Sequence, residues 1–284
     1  MDWLDSMNNA LSFMEENLGE EINFDDVASK ACCSTYHFQR MFSYITGVSL
    51  SEYIRRRRLT LAAFELQNTD IKIIDIALQY GYDSPEALAR AFKKLHGVTP
   101  TLARDKGITL KAYPQISFQI SIKGDIEMQY RIETKEAFNL FGVIGNIQSD
   151  SMEGAFVEVP KFCVKCDEDG TVTKMNEILL RSPNSMLHAA LYDHTDTGFK
   201  YMICYPIPCE VPIPKEFDTL SVPALTWAIF PAEGLQVPDV WRRIYSEWFP
   251  TSDFEQVLGP SFEMYYGESD KKPYGEVWIP VKKK

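Results

Sequence analysis

Up to about residue 106 the apolar positions recur every three or four residues. Trp3, Leu4, Met7, Ala10, Leu11, Met14 and Leu18 form one stripe, closed by Gly19, which predicts an amphipathic helix. Asn23 can cap a short helix holding Val27 and Ala28. Ser34 caps the next, with Phe38, Met41, Phe42 and Ile45 on one face and Gly47 past its end. Ser49 opens a longer helix through Leu66, and Ile73–Tyr80 form another short one. Ser84 caps the last, with Pro85 at its first position and Gly97 after His96. After Arg104 the period shortens to two. Residues 116–132 alternate and are rich in β-branched and aromatic residues, a strand pattern. Strands are then expected at Leu140–Ile147, Leu187–Tyr192, Tyr201–Ile207, Leu225–Phe230, Phe262–Tyr266 and Gly275–Val281, with helices at Phe156–Asp169 and Val237–Phe249.

Both halves repeat internally. Asp26-Val27-Ala28 matches Asp75-Ile76-Ala77. One residue further out of step, Ser34, Phe38, Arg40, Phe42 and Gly47 match Ser84, Leu88, Arg90, Phe92 and Gly97. Each copy is a short helix, a tight turn and a Ser-capped second helix, the layout of a helix-turn-helix unit. The second half reads β-α-β-β twice, with Ile207-Pro208 falling on Ile279-Pro280. The expected fold is therefore α plus α+β: an all-helical domain over 1–106, then a two-layer duplicated domain over 112–284, joined near 107–113.

The 284 residues suit two such domains, and 45% hydrophobic residues suffice for their cores. The longest apolar stretch, Val222–Ala232, is shorter than the roughly 20 residues a bilayer needs. The acidic, amphipathic N-terminus lacks the pattern of a secretory signal. The six cysteines are sparse, which makes no disulfide framework. The expected location is the cytoplasm. Net charge is −11, unfavourable for a chain whose whole surface meets nucleic acid. The charge is uneven, however: residues 28–60 carry Lys30, Arg40 and Arg55 to Arg58 against Glu52 alone.

In the first copy Tyr36, Gln39 and Arg40 lie away from the Phe38, Met41 and Phe42 face. Gln suits bidentate contact with adenine and Arg with guanine. The second copy offers Glu86, Ala87, Ala89, Arg90 and Lys93. A single such helix reads as an ordinary polar surface; two copies in one chain favour DNA reading. Four consecutive arginines cannot share one helical face, so some of Arg55 to Arg58 must turn to acidic partners while others reach phosphates.

Residues 8–105 resemble the AraC/XylS family DNA-binding domain. The resemblance rests on HFQRMF (His37–Phe42), GVSLSEYIRRRRL (Gly47–Leu59), IIDIALQYGYDSPEALARAFKKLHGVTP (Ile73–Pro100) and Leu102-Ala103-Arg104. It implies a bilobed domain presenting two helix-turn-helix units to adjacent major-groove segments. It also implies that Tyr36, Gln39 and Arg40, with Glu86, Ala87, Ala89 and Arg90, stand at the base-reading positions.

The second half is dense in aromatic residues and carries Glu276 among Val277, Trp278 and Ile279. A buried carboxylate is costly unless paired, and an edge strand with Glu276 in solvent reads equally well. AIFPAEG, VWRRIYSEWFP and FEMYYGESDKKPYGEVWIPV resemble the GyrI-like effector-binding domain, in the order seen in Rob-like regulators. That resemblance implies a pocket between the repeats, with a central glutamate at Glu276 and walls from Trp227, Trp241, Tyr245, Trp248, Tyr265 and Trp278. It suits flat, lipophilic or cationic ligands.

Together these readings predict a transcription regulator whose partners are promoter DNA, a small effector and RNA polymerase, with no membrane, metal, cofactor or catalytic residue. Two rivals are a GyrI-like hydrolase of strained electrophiles, using Glu276 with Tyr245 or Tyr265, and a drug-sequestering protein. Neither explains a repeated helix-turn-helix. Cys163-x-x-Cys166 lies in a predicted amphipathic helix and reads as two free thiols, with Cys204 and Cys209 in the neighbouring strand region. Cys32-Cys33 reads as small core packing. His188 and His194, near Asp193 and Asp196, read as a polar hairpin tip.

Overall fold

The computed structural model describes residues 3–119, 127–149, 152–179, 187–195, 197–207, 212–232, 237–265 and 275–284. Two compact units result: Met1–Phe38 with Leu50–Ile122, and Gln39–Ser49 with Lys123–Lys284. No described helix is long and apolar enough to cross a membrane.

The first part is helical: α1 (Trp3–Glu16), α2 (Phe24–Lys30), α3 (Thr35–Thr46), α4 (Leu50–Asn68), α5 (Ile73–Gln79), α6 (Pro85–His96) and a 3₁₀ turn at Leu102–Arg104. The expected caps form. Asn23 accepts from the Asp25 N–H, Ser34 from the His37 N–H, and Ser84 from the Ala87 N–H. Leu59, Ala62, Leu66, Ile76, Ala77, Leu88 and Phe92 close one core.

The two helix-turn-helix copies superpose at the level of hydrogen bonds. The Cys33 N–H donates to Ala28 O at 3.2 Å, and the Tyr82 N–H donates to Ala77 O at 2.8 Å. Each closes a helix end through a residue in the left-handed conformation. In the second copy that residue is Gly81 (φ 74°); in the first it is Cys32 (φ 55°). A side chain is strained there. Cys32 is exposed, so it does not pack in a core as its neighbourhood suggested; the left-handed turn directs it outward.

The strand expected over 116–132 is met only at its end among the described residues. Residues 116–119 and 127–130 are irregular, residues 120–126 lie outside the described set, and β1 covers Arg131–Lys135. There follow β2 (Phe138–Gln148), α7 (Met152–Glu168), α8 (Thr171–Ile178), β3 (Leu187–Thr195), β4 (Gly198–Pro206), β5 (Asp218–Val222) and β6 (Leu225–Pro231). The chain ends with α9 (Val237–Arg243), β7 (Phe254–Gln256), β8 (Ser261–Tyr265) and β9 (Gly275–Lys283). A π-helical turn at Ile244–Trp248 extends α9 to Phe249–Thr251.

The main sheet is antiparallel, in the order β1-β6-β9-β8-β3-β4-β2-β5, with β7 also on β9. The duplication is visible in this order. β6-β9-β8 mirrors β2-β4-β3 about the central β8–β3 pair. Each half lends its first strand to the other: β1 pairs with β6, and β5 with β2. Registers assign the faces, because cross-strand partners project to the same side. Glu263 pairs with Ala189 and Val277, whereas Glu276 pairs with Met264 and Pro231. The two carboxylates therefore stand on opposite faces of the sheet. The helices cover the Glu263 face. Gly145 has no Cβ because Phe162 of α7 lies where one would be, within about 2.8 Å.

Candidate functional site

On α6, Glu86, Arg90, Lys93 and Lys94 are exposed, and Ala87 and Ala89 are half-buried. On α3, Phe38, Met41 and Phe42 are buried as the spacing predicted, and Tyr36 and Gln39 are half-exposed. Arg40 departs from expectation: it is 8% exposed. Its Nη1 lies 2.9 Å from His194 Nδ1, and its Nη2 donates to Tyr44 Oη at 3.0 Å. The helical wheel placed Arg40 away from the core face correctly, but a second surface, supplied by β3, meets it there. His194 stands beside the polar tip of the β3–β4 hairpin, as expected, but its ring turns to Arg40, and His188 is buried within β3; Asp196 lies outside the described residues.

The arginine run is engaged within its own unit. Arg55 and Arg56 both bind Glu52, Arg57 binds Glu15, and Arg58 donates to the carbonyls of Leu18 and Glu20. Glu52 is held below its ordinary value by its two arginines, against the opposing pull of burial.

The duplicated domain holds a cavity of about 250 Å³ between α7, α9 and the sheet. Its floor is Glu263, 7% exposed. Trp241 Nε1 donates to Glu263 Oε1 at 2.7 Å, while the hydroxyls of Tyr201 (3.0 Å) and Tyr265 (2.8 Å) donate to Oε2. Leu191, Phe156, Phe199 and Tyr44 complete the walls. Burial pushes the Glu263 carboxyl above its ordinary value, and the three donors pull it partly back. Among the described residues no basic side chain pairs with it. The arrangement is a preorganised carboxyl acceptor in an apolar, aromatic box, suited to a cation or to a donor-bearing aromatic ring.

This corrects the expectation for Glu276. That side chain is buried, at 6% exposure, yet it is fully paired. Arg131 grips it with both Nη atoms at 2.7 and 3.1 Å, and Trp278 Nε1 donates to it at 2.8 Å. Of the seven effector candidates, Trp241 and Tyr265 line the Glu263 cavity. Tyr245 stacks behind Tyr44 at 4.0 Å. Trp248 packs against Phe230 and Phe254 away from it. Trp227, Trp278 and Glu276 belong to the other face. Sequence reasoning missed Glu263, Tyr201 and Tyr44. The signal for the first was present: Phe-Glu-Met-Tyr alternates, placing Glu263 and Tyr265 on one side and Phe262 and Met264 on the other.

Cys163 and Cys166 lie on α7, the first half-buried and the second buried, and burial pushes the Cys163 thiol up to about 11. Cys209 lies outside the described residues.

Residues 27–106 match the family described as a helix-turn-helix domain, and residues 128–282 match the GyrI-like small molecule binding domain. The HTH-type transcriptional activator AarP of Providencia stuartii is 45% identical over 94 residues, 33% of this chain and 70% of AarP. The right origin-binding protein of Escherichia coli strain K12 is 43% identical over 104 residues, 37% of this chain and 36% of that protein. Among solved structures, SAV2435 bound to tetraphenylphosphonium aligns with a TM-score of 0.43 and 20% identity, over 55% of this chain and 94% of that one. The GyrI-like match spans more than half the chain, and most of AarP is covered. The chain therefore belongs to the AraC-type helix-turn-helix transcription regulators that carry a GyrI-like small-molecule-binding domain.

Proposed function

We propose that the effector of this regulator is a lipophilic aromatic cation held over Glu263, and that Trp241, Tyr201 and Tyr265 fix the carboxylate that receives it. The observation that carries this reading is a buried carboxylate with three aromatic hydrogen-bond donors and no cationic partner among the described residues. An incoming cation supplies the missing charge, and the rings add cation–π attraction. The ligand is bound and released unchanged, and the response passes to promoter DNA and RNA polymerase in the cytoplasm. Base reading falls to Tyr36, Gln39 and Arg40 in the first unit and to Glu86, Ala87, Ala89, Arg90 and Lys93 in the second.

The test is calorimetry with tetraphenylphosphonium and the uncharged triphenylphosphine oxide, on wild type and Glu263→Gln. Wild type is expected to prefer the cation, and the variant to lose about 10- to 100-fold of that preference, the 1.4–2.8 kcal/mol equivalent of a screened charge pair. An unchanged preference would mean that Glu263 only braces the sheet. Chromatographic recovery of both ligands checks that neither is consumed.

A further inference from the structure

Tyr44 belongs to α3, the second helix of the first helix-turn-helix unit, yet its ring forms part of the Glu263 cavity wall. It stacks on Tyr245 (4.0 Å, 6° between planes) and on Trp241 (5.3 Å, 14°). Trp241 is the ring whose indole N–H holds Glu263. One turn earlier on α3, Arg40 lies over the Tyr44 ring at 4.7 Å and donates to its hydroxyl. The other arm of Arg40 reaches His194 Nδ1. An arginine can read guanine only with its guanidinium edge free to make two parallel bonds. Here both arms are occupied.

We infer that this segment is a latch: Tyr44 and His194 hold Arg40 away from DNA, and a ligand entering the cavity releases it. The inference rests on the reading of the Glu263 cavity as the effector site. Size gives the direction. The cavity holds about 250 Å³, below the roughly 300–1,000 Å³ of sites for drug-sized ligands, so a ligand as bulky as tetraphenylphosphonium that seats on Glu263 presses on the walls. Tyr201, Trp241 and Tyr265 are tied to the carboxylate the ligand needs. The Tyr44 hydroxyl is tied to Arg40 instead, so Tyr44 is the wall through which pressure in the cavity reaches Arg40.

The latch is also built to open. His194 Nδ1 must be unprotonated to accept from Arg40, which leaves the ring proton on Nε2. That atom is out of contact with solvent and has no partner among the described residues. A buried donor without an acceptor works against the closed state. Displacing Tyr44 removes the stack, the cation–π contact and the Arg40 bond to the Tyr44 hydroxyl together.

The coupling is reciprocal by necessity: a ligand that tightens DNA binding is itself tightened by DNA. The experiment uses the full chain, a duplex selected by it from a random library, a scrambled duplex, and tetraphenylphosphonium. The expected result is that the cation tightens binding to the selected duplex by about five-fold or more, with little change on the scrambled one, and that the duplex tightens the cation by the same factor. His194→Leu removes the acceptor while keeping the site filled. It is expected to bind the selected duplex about five-fold more tightly without ligand and to lose most of the ligand response. If His194→Leu melts lower than wild type, Tyr44→Leu is the deciding variant, with the same expectation. Cation binding that depends on Glu263 but leaves DNA affinity unchanged overturns the latch and keeps the effector site. Failure of the cation to bind removes the effector reading; the latch then stands or falls on the unliganded variants. Wild-type or weaker DNA affinity in a variant of normal melting temperature overturns it.

Discussion

Replacing Arg57 by Met keeps the aliphatic stem and removes the guanidinium. In the structure that group grips Glu15 through Nε (2.8 and 3.1 Å) and Nη2 (2.8 Å), and its Nη1 donates to Tyr113 O. The Tyr53 hydroxyl donates to the same carboxylate at 2.6 Å. Both ion-pair side chains are only 11–12% exposed. Breaking a buried pair costs about 3–5 kcal/mol, because the remaining charge stays desolvated. Tyr53 continues to bond Glu15, which places the expected loss near the lower limit, about 2–3 kcal/mol. For a domain of about 100 residues that is a fall of roughly 8–15 °C in melting temperature. Glu15→Gln should cost a comparable amount, and the double variant clearly less than the sum, since the two residues share one interaction. The second assay is DNA affinity against salt. A phosphate contact contributes about 0.9 to the slope of log K against log salt, and Arg57→Met should leave that slope unchanged. A slope reduced by about 0.9 with stability intact would refute the reasoning and return Arg57 to the DNA interface.

Glu263 makes stability depend on pH. Its carboxyl titrates above the unfolded value because of burial. Its contribution is therefore complete below the usual carboxylate range, near 4.3, and is lost as pH rises through the raised value. The melting-temperature difference between wild type and Glu263→Gln should shift against wild type across that window. Stabilisation of wild type by tetraphenylphosphonium should grow over the same range; a difference flat with pH would contradict this. Cys32→Gly should stabilise the first helix-turn-helix turn. The left-handed backbone costs a side chain roughly 1–2 kcal/mol, and the greater freedom of unfolded glycine takes back about 0.5–1. A net gain of about 0.5–1 kcal/mol is expected in urea unfolding, and a lowered midpoint would show that the thiol's contact with the Ser6 hydroxyl, at 3.9 Å, is worth more than the strain.

The helical half was legible because its signals are local. Ser84 with Pro85 fixes where α6 begins whatever surrounds it, and the repeat of Ala28-Cys33 by Ala77-Tyr82 carries the same turn twice. The β-α-β-β order within each half of the second domain was legible for the same reason, while the short β5, α8 and β7 were not expected. The domain's faces were not legible. Glu263 and Glu276 both sit in alternating strands, and both are buried. Period two separates the sides of a strand without saying which side the helices cover; that depends on registers such as Ala189 with Glu263. Nor does alternation reveal that Arg131, 145 residues away in sequence, neutralises Glu276. Arg40 failed similarly: the wheel finds one buried face, and the second comes from His194, 154 residues along the chain. β-rich composition does not supply a neighbour: of the described residues in and just after 116–132, 116–119 and 127–130 are irregular, while Arg131–Lys135 finds a partner in β6.

The sheet is a near-mirror of itself about the β3–β8 pair, but its chemistry is not. On the face where β8 presents Glu263, β3 presents Ala189 and Leu191. Two identical subunits meeting at that seam would have to bring two acids together, each opposing the ionisation of the other. Joining both halves in one polypeptide removes that obligation, so one side can keep the acid while the other becomes plain hydrocarbon. The result is a chamber with a single pole. A guest that carries its charge at one end has one way to lie in that chamber.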